Sequence, residues 1–205
     1  MNPERLTKAV YHIAIGFGIL CFDINLGRLN ILPDWLGYWL ILNSLDAIAE
    51  EEPTAALLKS LGKLLLLWCA GEWVLKLIGA DISGSLIVYM AYIIVVERLY
   101  FQFQLLTNLA SIAARYVPQF EQRILRLRTV MTLVVTGYAL VSAFFASKAV
   151  AVMAAMVQLV SAVWLWRTLL RMEEAMTEVF GLKPQGPEPL TFAERIQMNT
   201  ESSDN

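Results

Sequence analysis

Residues 149–166 read AVAVMAAMVQLVSAVWLW, a stretch without a single charge. The segment before it, residues 129–147 (TVMTLVVTGYALVSAFFAS), is equally uncharged, and only Lys148 separates the two. At about 1.5 Å per helical residue, each comes close to the roughly 30 Å of a bilayer's hydrocarbon core. The pair reads as two membrane-crossing helices joined by a tight turn.

The rest of the chain supports that reading. Of 205 residues, 58% are hydrophobic and 17% charged, against roughly 45–50% and about 25% in an ordinary soluble domain. A net charge of −2 offers no basic surface for nucleic acid. The first apolar run follows Arg5 and Lys8, as in a secretory signal peptide. No small-x-small cleavage pattern closes it, and Leu20 stands where a lipoprotein signal at Cys21 needs a small residue, so the run reads as a retained span. Cys21 and Cys69 fall inside spans and read as small apolar packing residues. With one histidine they cannot complete a four-ligand zinc site, and no metal or cofactor is expected.

Polar breaks divide the chain into six expected helices at residues 8–26, 33–49, 58–79, 84–106, 129–147 and 150–170, followed by a polar, partly disordered tail at 171–205. The expected fold is all-α, a polytopic transmembrane bundle of six spans with both termini cytoplasmic. Segment 33–49 is the shortest, about 25 Å as a helix, and could be re-entrant. Orientation favours a full crossing. Six crossings place twelve of the sixteen basic residues inside, while Arg28, Lys76 and Lys148 lie outside and Arg98 lies within the fourth helix. That asymmetry follows the positive-inside rule.

Between the fourth and fifth spans, Gln119–Arg128 (QFEQRILRLR) follows Pro118 and is expected to lie along the inner leaflet. Arg123, Arg126 and Arg128 would then sit near anionic headgroups, or simply fix topology. The sequence KPQGPEP at residues 183–189 breaks the tail, and Thr191 with Glu194 has capping-box spacing for a short helix. The two halves of the chain do not match in content, so no inverted repeat is expected.

Ionisable groups within a bilayer need a partner or water. Counted from Lys63, Glu72 lies about 13 Å into the third helix. Lys76 follows at i+4, the favourable order for mutual neutralisation; handling of a proton or ion by Glu72 is the competing role. His12, Asp46, Glu97 and Arg98 form an expected inner cluster. Glu97 would face the bundle while Arg98 snorkels inward or pairs with Asp46, and His12 would be the natural proton carrier. An expected outer cluster joins Asp23, Arg28 and Asp34 at the turn between the first two spans, either as a loop held by its own salt bridge or as an outward-facing polar site.

Soluble-enzyme motifs are missing: G-x-S-x-G, H-E-x-x-H, C-x-x-C, the P-loop and G-x-G-x-x-G. Gly16-Phe17-Gly18 reads as close helix packing. Ser83 or Ser85 would have to reach His12 from the opposite depth of the bilayer, which argues against a serine hydrolase; no enzyme is expected, a carboxylate-based intramembrane enzyme being the third alternative. In the hairpin RLNILPDWLGYWLI, residues 28–41, Pro33 and Asp34 suit a helix start. Trp35, Tyr38 and Trp39 share a face suited to an interfacial aromatic belt, and Gly37 leaves room for a neighbouring helix.

Ile24, Asn25, Gly27, Ile31, Leu32, Pro33, Asp34, Trp35, Leu36, Gly37 and Tyr38 give the pattern I-N-x-G-x-x-x-I-L-P-D-[FW]-[IL]-G-Y. This stretch resembles the N-terminal hairpin of a group of small bacterial multi-pass membrane proteins to which no activity is assigned. The resemblance implies a bacterial cytoplasmic-membrane protein. The expected function is a non-enzymatic membrane scaffold or interaction protein, in contact with the bilayer, anionic lipids or another membrane protein. The alternative is a small-solute, ion or proton-coupled transporter or channel using intramembrane carboxylates.

Overall fold

The computed structural model describes residues 2–21, 25–26, 29–30, 33–79, 85–144 and 148–182. Six helices carry the fold: α1 (Pro3–Cys21), α2 (Asp34–Glu51), α3 (Ala55–Leu77), α4 (Ser85–Tyr116), α5 (Glu121–Phe144) and α6 (Lys148–Val179). Two-residue strands β1 (Asn25–Leu26) and β2 (Leu29–Asn30) form an antiparallel ladder between α1 and α2, with Asn25 opposite Asn30. Each helix contacts the next in chain order, and α6 closes back on α1. The result is a ring of six helices around a shared interior.

Large apolar side chains face outward as well as inward. Leu64, Leu67 and Val74 on α3, Tyr92, Ile93 and Val96 on α4, and Val152, Met156 and Val160 on α6 are all exposed. Helices that are apolar on their outer faces fit a nonpolar surround better than water. Among the described residues, one helix, α6, is long and apolar enough to cross a membrane.

Charge gathers at one end of the ring. There Arg115 near the end of α4 meets Glu51 at 3.5 Å and also pairs with Glu52. Ser111 donates to Glu52 at 2.6 Å and Tyr116 to Glu51 at 3.0 Å. Arg5 of α1 pairs with Glu50, and Lys59 of α3 pairs with Asp46. Tyr116 also meets Phe180, just past α6, edge to face at 5.3 Å. Burial first, then the bond to Glu51 and its charge, push the Tyr116 hydroxyl above its ordinary range, so it remains the donor.

Several expected boundaries are corrected. The first helix spans residues 3–21 rather than 8–26, because the chain enters β1 at Asn25. The fourth helix does not stop at residue 106 but runs to Tyr116, and α6 continues through residues 171–179, where a tail was expected. Both extensions carry buried positions, including Leu109, Ile112, Met172 and Met176, so they belong to the bundle. Gln119–Arg128 is no separate surface segment: Pro118–Phe120 makes one 3-10 turn and α5 starts at Glu121. Gly181, at φ +63, ends α6, with the Leu182 N–H donating to the Thr177 carbonyl. The KPQGPEP break and the Thr191–Glu194 box lie outside the described residues.

Gly16 and Gly37 set the distance between α1 and α2. A β-carbon on either would stand 2.8 Å from the other's carbonyl oxygen, which is closer than side chains approach backbone. Gly37→Ala is therefore expected to lower stability by about 1–3 kcal/mol through overpacking. Gly71→Ala, inside α3 and with nothing within 4 Å of the added methyl, should cost nothing and gain up to about 1 kcal/mol from helix propensity. Thermal unfolding in detergent reads the difference, and equal losses at both positions would refute the close contact.

Candidate functional site

The described parts of α2 and α4 run in the same direction, and their register follows from the charged end. Arg115 of α4 engages Glu51 of α2. Seventeen residues back from each lie Arg98 and Asp34. Equal rise per residue brings these two to the same depth, and Arg98 Nη2 stands 3.9 Å from Asp34 Oδ2. One turn further along each helix, Tyr38 and Phe101 meet edge to face at 5.9 Å. Arg98 Nη2 also donates to Cys69 Sγ of α3 at 2.9 Å. Cys69 is a buried free thiol.

Beside this pair is a chamber of about 430 Å³ inside the ring. Asp34 and Tyr38 of α2, Arg98 and Gln102 of α4, and Gln158 of α6 supply its polar wall. Phe17 and Leu20 of α1, Ile41, Phe101, Met131 and Ala162 supply the apolar wall. The volume falls within the range of small-molecule pockets, roughly 300–1,000 Å³. Gln102 donates to Met131 Sδ at 3.2 Å, fixing its amide against α5. Gln158 Oε1 and Arg98 Nε are buried with no hydrogen-bond partner. Buried polar atoms are normally satisfied; these two belong to side chains that line the chamber, although the atoms themselves are closed off from it.

The expected clusters divide differently. Asp34, the first residue of α2, comes within reach of Arg98; its expected outer partners Asp23 and Arg28 lie outside the described residues. The inner cluster of His12, Asp46, Glu97 and Arg98 does not assemble. Asp46 pairs with Lys59 one helix away, and the half-buried His12 stacks obliquely near Tyr11 on α1. Glu97 is buried with neither carboxylate oxygen partnered. It also borders a groove formed with Leu61, Leu64, Tyr92, Ile93, Val96 and Tyr100 on the outside of α3 and α4.

Glu72 and Lys76 stand one turn apart on α3, but no ion pair joins them among the described residues. Lys76 is exposed near the end of the helix, where its long side chain does not turn back toward Glu72. The three loop arginines separate as well. Arg128 covers the Phe103 ring at 4.3 Å and donates to Thr107 at 2.8 Å, whereas Arg123 faces α6 and Arg126 is exposed. Tyr38, expected in an aromatic belt, is instead buried in the chamber wall; Trp39 does face outward and Trp35 meets Trp73 of α3 at 6.5 Å. Gln102 and Gln158 were not singled out from the sequence. Their only signal there was an uncharged amide in an otherwise apolar run.

Comparison of the chain with known protein families, with curated proteins and with solved structures finds no match.

The Asp34–Arg98 contact invites a double-mutant cycle. Each side chain is about one-third exposed (35% and 36%), so a coupling of roughly 1 kcal/mol is expected after allowing for screening. Arg98→Gln alone should cost more than Asp34→Asn, because it also removes the Cys69 contact. Purely additive effects on the melting curve would show that the two charges do not interact.

Proposed function

We propose that the chain is a six-span protein of a bacterial cytoplasmic membrane, with both termini on the cytoplasmic side, that binds a small polar solute inside its helix ring for transport. The membrane placement draws support from the outward apolar side chains, from α6 and from the distribution of basic residues. The hairpin's resemblance to small bacterial multi-pass proteins agrees with it. In this placement α1 to α6 make the six crossings. The charged end of the ring, with Arg5, Arg115 and Tyr116, then faces the cytoplasm.

The observation that carries the solute reading is the chamber itself. An apolar bundle has no packing reason to hold a cation, a carboxylate, a phenol and two amides around one partly open volume. Arg98 offers donors to a carboxylate or phosphate, and Asp34 offers an acceptor to an ammonium group. A zwitterion of amino-acid size satisfies both, while the amides of Gln102 and Gln158 contact its polar remainder.

Glu97 favours a second reading, that of a membrane interaction protein. Its unpartnered carboxylate lies at the base of an outward apolar groove, where a partner helix carrying a hydrogen-bond donor would satisfy it.

Thermal-shift measurements on the detergent-solubilised protein against a panel of small zwitterions, anions and cations test the solute reading. At least one zwitterion should raise the melting temperature with saturable concentration dependence, and Arg98→Gln or Gln158→Leu should abolish the shift while leaving a folded protein. Absence of any shift across the panel, or a shift that survives in both variants, would contradict it.

A further inference from the structure

We propose that the groove between the start of α5 and the latter half of α6 is a binding site for an anionic phospholipid. Arg123 of α5 and Arg167 and Arg171 of α6 hold the phosphate, and Val163, Val160 and Leu159 receive an acyl chain. Arg167 and Arg171 are one turn apart and share a face of α6. The three arginines line one open volume of about 540 Å³. No carboxylate lines it. Among the described residues, Arg5, Arg98 and Arg115 each pair with a carboxylate, whereas none of these three does. Three positive charges thus converge on a surface that supplies no counter-charge of its own.

The apolar part of the groove identifies the anion as a lipid. Leu159 lies eight residues before Arg167, about 12 Å along the helix, and Val160 and Val163 occupy the interval. Charge at one end and an apolar trough along the membrane normal match an amphiphile. A free phosphate would use the arginines but leave the trough uncovered. Guanidinium groups bind phosphate oxygens in bidentate fashion and keep their charge at any physiological pH. Leu159 also lines the polar chamber from its other side, so an acyl chain in the groove would press on the chamber wall.

The site rests on the membrane placement proposed above, and the experiment separates the two. Membranes containing the full-length protein are first washed with carbonate. The retained protein is then solubilised, and native mass spectrometry compares retention of phosphatidylglycerol with phosphatidylcholine of the same chains. Preferential retention of phosphatidylglycerol is expected. Arg167→Gln and Arg171→Gln should each weaken it about fivefold, the effect of one basic residue at an anionic headgroup. Val163→Trp, which fills the trough and keeps every charge, should also weaken it, and Arg126→Gln, outside the groove, should not. Protein lost in the wash would overturn the membrane placement. Protein that stays but retains both lipids equally would overturn the site, and this comparison needs no variant to fold. Displacement of the lipid by millimolar inorganic phosphate would overturn the acyl contribution and leave a simple anion site.

Discussion

Arg115 stands between Glu51 and Glu52, and that contact fixes how far α2 slides along α4. Both carboxylates are largely enclosed, and Ser111 and Tyr116 complete their hydrogen bonding. An arginine held by two hydrogen-bonded carboxylates resists translation in a way that apolar helix packing does not, because a slip of one turn would leave enclosed charge unpaired. Van der Waals contact between leucines, by comparison, is preserved after many small shifts.

From that register the interior follows. Asp34 comes level with Arg98 and Tyr38 level with Phe101, so the polar groups of the two helices meet at one chamber. The glycine contact of Gly16 with Gly37 holds α1 against the same part of α2. With α6 closing onto α1, Gln158 completes the chamber. Its polar lining of Asp34, Arg98, Gln102 and Gln158 is what distinguishes the chamber from a packing defect: a cavity left by poor packing is lined by apolar groups and stays dry.

The charge-free stretches and the close-packed glycines were legible in the sequence, because a long uncharged run and a glycine in an apolar helix each have few other physical explanations. Depth was not. Counting residues from charged edges placed Arg98 inside, beside Asp46 and away from Asp34, since it took the fourth helix to end where its apolar run ends. The segment TNLASIAARY, residues 107–116, is polar enough to read as a loop, yet it continues α4 and carries the Arg115 anchor. Spacing also misled at Glu72 and Lys76: an i, i+4 relation permits an ion pair but does not by itself bring the two side chains together. Glu97 and Arg98 show the converse, as adjacent residues that necessarily point to different faces and serve different surfaces of the fold.

The central claim is therefore the register of α2 against α4. Oxidative cross-linking in native membranes measures it, using Tyr38→Cys with Phe101→Cys in a chain whose Cys21 and Cys69 are replaced by serine. A prompt intramolecular cross-link is predicted for this pair, and none for Trp39→Cys with Phe101→Cys, because Trp39 faces outward. Equal cross-linking of the two pairs, or none at Tyr38, would contradict the register and with it the chamber.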